Sequence, residues 1–345
     1  MKLSSFILRR LILLVFVLFG VAVLVFLLTR AAPGIDPIFA YVTPNTPSSA
    51  YPVIREQHHL NDPLYVQIWY WFWDVLHGDL GYSPSAGMPV SMAAAIFFPA
   101  TAELTIAATI ISLSVAIPLG ILSALKSNKW QDHATRLFVM TSSSMAVFWL
   151  GLMLQFVFFY LLRVNGLPSL PPAGRISPDV LVSQSITHYT GLNVLDSVLN
   201  GNLPYLVDSL SHLVLPATTL ALVSMGLTAR IMRSSMLEVL GQDYITMARG
   251  KGLPERVVIY KHAFKNAMLP TTTVVGLSFA SLLSGAVLTE KIFAWNGMGS
   301  WAANAALAND TVGIIGFTLV TATIFVCVNL VVDIVYAILD PRISY

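Results

Sequence analysis

The sequence has little charge, since only 10% of its 345 residues are Asp, Glu, Lys or Arg, against roughly 25% in an ordinary soluble domain. Its 19 Lys plus Arg and 17 Asp plus Glu cannot coat a water-soluble protein of this size, so a typical soluble fold is excluded. A net charge of +2 is also too small to indicate a nucleic-acid partner. The single cysteine, Cys327, excludes an intrachain disulfide, and we interpret it as an apolar packing residue.

The sequence also lacks the motifs that carry chemistry. A chain that hydrolyses ATP needs a phosphate-binding loop of the form G-x-x-x-x-G-K-[ST], and the nearest match, at Lys126 and Ser127, has Leu125 where the second glycine is required. There is no H-E-x-x-H zinc motif, and no predicted span has a central histidine that could activate a serine. We therefore expect no catalytic residue, metal site or cofactor in this chain.

Long apolar segments are what the sequence has in abundance. Residues 11–29 form a charge-free run that, at about 1.5 Å per residue, crosses the ~30 Å hydrocarbon core of a bilayer. Its length and Arg30, at a candidate cleavage position, argue against a cleaved signal peptide. We predict an all-α polytopic membrane protein with about six transmembrane helices, at residues 11–29, 101–125, 137–162, 213–231, 268–288 and 312–338.

The positions of the cations predict how the chain is oriented. Lys and Arg accumulate in cytoplasmic loops, and all but five of the 19 lie on one side of the predicted spans. We therefore predict that both termini are cytoplasmic. The first span with its cytoplasmic end occupies residues 1–30, an external segment occupies residues 31–98, and a five-helix core occupies residues 99–345.

The first external segment has a helix signal and an aromatic cluster. Asn61 or Asp62 is a candidate cap for a short helix with Pro63 in its first turn. The aromatic residues 69–73 fit the headgroup region of a bilayer, where amphipathic rings concentrate. An aromatic ligand-binding box is the alternative.

Two carboxylates are predicted to lie near the external ends of spans, although ionisable groups are costly in a membrane. Glu103 is predicted to lie in the first turn of the second span, where a carboxylate favours the positive end of the helix dipole. Glu290 and Lys291 are predicted to lie at an external helix end that can reach water. A structural role is therefore expected for Glu103.

The segment between the fourth and fifth predicted spans is too long for a simple turn. Asp243 is a candidate cap for a helix over residues 244–251, whose negative end Arg249 and Lys251 complement, and Gly252 can take a left-handed stop conformation.

Pro254 and Glu255 suit the first turn of a second short helix that continues to about Phe264. Two short helices joined at a glycine form a compact element that can enter a groove on a partner. A basic solvated loop against lipid headgroups is the alternative.

The residues of this segment form a specific pattern: R-I-M-R-S-S-M-L-E-V-L at 230–240, Asp243-Tyr244-Ile245, Ala248-Arg249, Lys251-Gly252-Leu253, and H-A-F-K-N-A-M-L-P at 262–270. Further matching motifs are G-D-L-G-Y-S at 78–83 and G-A-V-L-T-E-K-I-F at 285–293. The pattern resembles the permeases of dipeptide, oligopeptide and nickel ATP-binding cassette (ABC) importers, and more closely the first of their two permease subunits. Thr246, Met247 and Gly250 depart from the family's usual residues.

The resemblance implies a type I ABC importer permease fold in the plasma membrane. It implies a coupling loop at residues 232–266 whose first helix docks on a cytoplasmic ATPase, through Asp243, Tyr244, Ala248, Arg249, Lys251, Gly252 and Leu253. The implied partners are a homologous second permease, two ATPases that bind the ATP and Mg, an external substrate-binding protein and the lipid bilayer. The implied cargo is a short peptide, with oligosaccharide or nickel as alternatives.

The fifth predicted span has small and polar residues amid apolar neighbours. We expect Thr272, Ser278, Ser281 and Gly285 to line the translocation path, although small residues also suit close helix packing. The alternative classes are an ion-coupled secondary transporter and an intramembrane enzyme. An ion-coupled secondary transporter is typically built from inverted repeats with broken helices, and an intramembrane enzyme needs a nucleophile and base pair. The sequence shows neither.

Overall fold

The computed structural model describes residues 3–31, 36–42, 45–283 and 286–339. These residues are almost entirely helical, with one small hairpin in which Tyr82 pairs with Pro89 and Ser83 with Met88. In the segment predicted to be external, helices α2 and α3 are Tyr51–Gln57 and Leu64–Leu76, with two 3₁₀ turns at Pro37–Ala40 and Ser48–Ala50. The helices before the coupling loop are α1 Leu3–Ala31, α4 Val90–Leu125, α5 Trp130–Ser144, α6 Val147–Gln155, α7 Leu162–Val164, α8 Pro178–Ser183, α9 Asn193–Leu199 and α10 Leu203–Leu240.

The coupling loop and the residues after it contain six helices. They are α11 Asp243–Gly250, α12 Glu255–Val257, α13 Phe264–Leu283, α14 Val287–Ile292, α15 Met298–Leu307 and α16 Thr311–Leu339. Two π-helical stretches, Phe156–Leu161 and Val258–Ala263, join α6 to α7 and α12 to α13 without a break.

Six helices of the described chain are long and apolar enough to cross a membrane, which confirms the predicted number of spans. They cover Arg9–Leu27, Val90–Leu125, Val147–Val164, Leu203–Leu240, Glu255–Leu283 and Thr311–Val332. The second and fourth begin earlier than the predicted residues 101 and 213. In α4 the extension is stabilised by packing, because Val90 and Ala93 are buried against Trp301 and Val312.

The third predicted span is not one continuous helix. Residues 137–162 were expected to be a single segment, but α5 ends at Ser144 and α6 begins at Val147. The hydroxyls of Ser143 and Ser144 donate to the carbonyls of Val139 and Met140, and such bonds compete with the helical pattern and bend helices. Met145 and Ala146 are accordingly extended, and the span lies in the second part.

The core of the bundle is the contact between α4 and α10, the most extensive of all the helix pairs described. Gly120 allows this close approach, because a Cβ there would lie 2.8 Å from the Cβ of Met232 and 2.9 Å from the carbonyl oxygen of Ala229. Small residues at membrane helix contacts permit such packing. Helix α10 also packs against α5 and α13, and α16 packs against α1 and α13.

Helix α3 follows the predicted position but not the predicted cap. Pro63 is itself the N-cap residue, and neither Asn61 nor Asp62 accepts a capping hydrogen bond from the first turn. The rings of Trp71 and Phe72 contact Phe26 and Phe19 of α1, with centroids 5.5 and 5.4 Å apart. Tyr65, Trp69 and Trp73 are exposed on the opposite side of α3. An interfacial position of these rings stays a prediction.

Glu103 has a structural role, but its predicted place in a first turn is wrong. Because α4 begins at Val90, Glu103 lies well inside the helix and is buried. Its carboxylate accepts a hydrogen bond from Arg175 at 2.6 Å and one from the backbone N–H of Val194 at 2.7 Å. Arg175 also lies over the ring of Trp295. This ion pair ties the segment between α7 and α10 to the bundle.

The prediction that Glu290 reaches water is wrong, because the residue is 0% exposed. Its carboxylate accepts hydrogen bonds of 2.7 Å from the Thr101 hydroxyl and from the Ser300 N–H. Burial raises the pKa of Glu290, against the opposing effect of these bonds. A Cβ on Gly297 would lie 2.5 Å from the Thr101 hydroxyl, so the loop closes over this carboxylate only with glycine there.

Candidate functional site

Helix α11 occupies the position predicted for the coupling helix. It runs from Asp243 to Gly250, one residue earlier at each end than the predicted 244–251. The prediction that Asp243 caps it is wrong, because Gln242 is the N-cap residue and no side chain makes a capping hydrogen bond. Asp243 is exposed in the first turn, where its carboxylate still favours the positive end of the helix dipole.

The stop after α11 is formed by Gly252. Its φ is +76°, which confirms the predicted left-handed conformation, and its N–H donates to the Arg249 carbonyl at 2.9 Å. Lys251 is the C-cap residue and donates to the Met247 carbonyl at 3.0 Å. A residue other than glycine is strained at this φ. The chain therefore reverses within a few residues at this point.

The second helix of the loop is not short, which corrects the prediction of two short helices. Pro254 is the N-cap residue of α12, and the helix continues through the π-helical stretch Val258–Ala263 into α13. No helix breaker interrupts residues 255–269, so nothing separates the loop helix from the span. The second loop helix and the fifth span therefore form one continuous helix.

The inner face of α11 packs on the chain itself. Ile245 and Ala248 are buried in a cluster with Met232 and Met236 of α10 and with Val258, Ile259, Ala263, Ala267, Ile121 and Ala124. Ala248 is only 8% exposed. The expectation that Ala248 contacts an ATPase groove is therefore not met by the geometry. Its small side chain is needed for contact with α10 and the second loop helix.

The outer face of α11 carries large exposed side chains. Met247 is 61% exposed and Tyr244 is 40% exposed, and Leu253 follows just after the glycine stop. Lys251 is also exposed. Aromatic and Met side chains are enriched in protein interfaces, whereas Lys side chains are depleted from the centre of such interfaces. Met247, which departs from the family's usual residue, is more exposed than Tyr244 and Leu253.

Two side-chain contacts brace the loop. The guanidinium of Arg249 donates from Nη2 and Nε to the two carboxylate oxygens of Glu255, at 2.8 and 3.3 Å, across the turn at Gly252. The amide of Asn266 donates to the Tyr244 hydroxyl at 2.7 Å. Arg249 therefore connects the two loop helices. An exposed ion pair of this kind contributes little to stability, so the brace sets geometry more than stability.

The predicted path residues on α13 are spread over its circumference. Ser281 is exposed, and Thr272 and Ser278 are half-buried, with the Thr272 hydroxyl donating to the Met268 carbonyl at 2.9 Å. Gly276 of the same helix lies in a packing contact, because a Cβ there would clash with the side chain of Val332 on α16. Gly285 lies outside the described residues.

We expect a cysteine at Ser281 to react with a water-soluble thiol reagent in at least one state of the transport cycle, because this side chain is exposed at a helix surface that is not covered by the chain itself. The background is a Cys327→Ser chain, since Cys327 is also exposed. Thr271→Cys is the control, because Thr271 is fully buried and should stay unreactive. Protection of the Ser281→Cys thiol in every state would assign it to packing or lipid.

Sequence reasoning missed a buried charge cluster beside the coupling loop. Asp132 of α5 is 0% exposed. It accepts hydrogen bonds from Arg233 Nε and Nη2 at 2.8 and 2.9 Å, Ser123 Oγ at 2.5 Å, the Asn128 N–H at 2.9 Å and Arg136 Nη2 at 3.1 Å. The hydrogen bond from Arg233 holds the pKa of Asp132 well below its usual range, against the effect of burial. The sequence carried a signal for this cluster, because Asp132 is a lone acidic residue among the basic residues of its segment.

The described residues contain no group of three or more His, Cys, Asp and Glu side chains placed to hold a metal ion. Together, a six-span bundle and a helix–glycine–helix element with an exposed outer face are typical of one class of protein, the transmembrane subunits of larger transport complexes.

Comparison with known proteins gives the family. Residues 116–345 match the model of the binding-protein-dependent transport system inner membrane component. A probable D,D-dipeptide transport system permease protein of Escherichia coli is 44% identical over 331 residues, which cover 96% of this chain and 95% of the relative. A dipeptide permease of Alkalihalophilus pseudofirmus is 40% identical, and an oligopeptide permease of Bacillus subtilis is 35% identical, each over 99% of this chain and at least 99% of the relative. The chain belongs to this family of multi-pass ABC importer permeases.

Proposed function

We propose that this chain forms half of the translocation pathway of an importer for short peptides. The relatives named above are described as D,D-dipeptide, dipeptide and oligopeptide permeases, and their similarity extends over nearly the whole chain. This favours a peptide over the oligosaccharide or nickel cargo of related permeases. The other half of the pathway belongs to a homologous second permease, and an external binding protein delivers the peptide.

Energy enters through the outer face of α11. Two cytoplasmic ATPases bind the ATP and Mg, and one of them docks on Tyr244, Met247 and Leu253, so this chain needs no cofactor of its own. The supporting observation is the coupling loop itself, which combines a helix with a buried inner face, an exposed outer face and a left-handed glycine stop. Because the second loop helix continues into α13, a push on the loop displaces the fifth span.

The test of this function is transport in liposomes that hold this chain with its second permease and both ATPases. Added binding protein loaded with a dipeptide should stimulate ATP hydrolysis and uptake of the peptide together. L-Alanyl-L-alanine and D-alanyl-D-alanine are the probes, because the relatives include both dipeptide and D,D-dipeptide permeases. Uptake driven by an ion gradient without ATPases would contradict the proposal and favour a secondary transporter.

The proposed orientation places both termini and the coupling loop in the cytoplasm. We expect tags at Gly241 and at Ser185 to be labelled from opposite sides, because most cations lie on the side of Gly241 and such loops stay inside. Both positions are exposed, so a tag at either site should not disturb packing. Labelling of both tags from outside intact cells would contradict the six-span orientation.

A further inference from the structure

The buried ion pair between Asp132 and Arg233 joins the cytoplasmic ends of three helices. Arg233 belongs to α10 and Asp132 to α5, and the Asp132 carboxylate also accepts from Ser123 near the end of α4. The backbone N–H of Asn128, in the turn between α4 and α5, donates to the same carboxylate. One carboxylate therefore fixes α4, its following turn and α5 to α10.

This polar joint lies directly beside the coupling helix. On α10, Arg233 lies between Met232 and Met236, which are fully buried against Ile245 and Ala248 of α11. The same apolar cluster includes the residues of α4 that flank Ser123, namely Ile121 and Ala124. The ion pair and the seat of the coupling helix therefore share the same two helix ends.

The two kinds of contact resist movement differently. Apolar contacts are non-directional, so the cluster holds α11 on α10 and α4 without fixing the rotation or sliding of these helices. An arginine that donates two parallel hydrogen bonds to one carboxylate has a fixed planar geometry and does resist sliding. The Asp132 joint thus adds, to the apolar packing of α4 and α5 on α10, a directional contact that passes a displacement from α10 to α4 and α5.

We propose that Asp132 and Arg233 are positioning residues of the transport cycle, which transmit displacement of the docked coupling helix to α4 and α5. The inference rests on the proposed function, because it needs an ATPase that moves α11. Without the joint, the ATPase still docks on the outer face of α11 and still hydrolyses ATP, because that face contains neither residue. The movement then reaches α10 and α13 but is passed less completely to α4 and α5, and less peptide is transported for each ATP hydrolysed.

The experiment uses the complete transporter in liposomes, with this chain, its second permease, both ATPases and binding protein loaded with L-alanyl-L-alanine or D-alanyl-D-alanine. Peptide uptake and phosphate release are measured together, and their ratio is the readout. We expect Asp132→Asn to lower uptake per ATP hydrolysed by roughly 5- to 150-fold, the range of typical coupling between sites. Arg233→Lys keeps the charge without the fork and should give an intermediate ratio.

The matched control is Asp196→Asn. Asp196 is also 0% exposed and accepts hydrogen bonds from Thr190 N–H and hydroxyl and from the Gly191 N–H, but these contacts stay within one external segment. Asp196→Asn removes a buried carboxylate that does not join the helices, so its ratio of uptake to ATP hydrolysed should stay at the wild-type value. A merely structural role of Asp132 would lower the amount of transporter in both variants and change neither ratio.

Asp132→Asn leaves the Arg233 cation without its partner, so this variant can fail to assemble. In that case the double variant Asp132→Asn with Arg233→Gln, which removes both charges, is measured in its place. The same lowered ratio is expected. A wild-type ratio in the assembled single or double variant overturns this inference alone. Absence of ATPase association or of dipeptide-stimulated hydrolysis in the wild-type complex overturns the proposed function instead.

Discussion

A Gly252→Val chain is expected to insert into the membrane and pair with its second permease, but to lose most ATP-driven transport. Gly252 has φ +76°, a conformation that a β-branched residue adopts only with strain of about 1–3 kcal/mol. The strain is relieved if the backbone leaves the left-handed region, and the chain after the turn then points in another direction. The angle between α11 and the helix that begins at Glu255 changes, and the outer face no longer fits the ATPase.

The same loop provides the controls for this variant. Gly250 is the last residue of α11, has no positive φ, and a Cβ there would meet nothing within 4 Å, so Gly250→Val should retain transport. Gly252→Asn should recover much of the activity, because asparagine tolerates the left-handed region best after glycine. Dipeptide uptake in liposomes, normalised to the amount of assembled complex, is the measurement. Wild-type uptake by Gly252→Val would remove the stop from the mechanism.

The second large effect separates the two faces of α11 at neighbouring positions. Met247 is 61% exposed on the outer face and Ala248 is 8% exposed on the inner face. Met247→Asp places a charge on the proposed docking surface and should weaken ATPase binding by at least about 2 kcal/mol, the loss typical of an interface hot spot, which is about 30-fold in affinity. The fold of the chain should not change, because the side chain is largely exposed.

Ala248→Trp should lower the stability of the chain rather than its affinity for the ATPase. The larger ring has to enter the cluster of Met232, Met236 and Ile245, and overpacking a core typically costs about 1–3 kcal/mol of stability or more. Thermal unfolding in detergent and ATPase affinity are measured for both variants. Met247→Asp should lose ATPase affinity with little change in unfolding temperature, whereas Ala248→Trp should unfold at a lower temperature. The reverse assignment would mean that the helix docks on its partner through Ala248.

The features that sequence predicted well are those decided by one residue or one short window. The six spans follow from apolar runs that no soluble fold can use, and the left-handed Gly252 follows from the absence of a Cβ in a chain that must turn sharply. The position of α11 was predicted to within a residue at each end, because polar residues with a helical signal stand between a basic span end and a glycine. These signals are local in the chain.

The features that sequence reasoning missed depend on distant residues. The burial of Glu290 requires Thr101, which is 189 positions away, and the Asp132 joint requires Arg233, which is 101 positions away. The direction in which Ala248 faces is set by α10 and the π-helical stretch, not by the pattern of α11 itself. The break after Ser144 arises from serine hydroxyls that bond to the helix backbone, a competition that apolar run length does not register.

The central claim, that an ATPase docks on the outer face of α11, is tested most directly by a photo-crosslinking amino acid at position 247 in cells that contain the complete transporter. Irradiation should give one adduct, and mass spectrometry of that adduct should identify the ATP-hydrolysing partner, because Met247 is the most exposed large side chain of the helix. The same amino acid at position 185, in the external segment, should give no ATPase adduct. An ATPase adduct from position 185, or none from position 247 in a transporter that still imports dipeptide, would contradict the account.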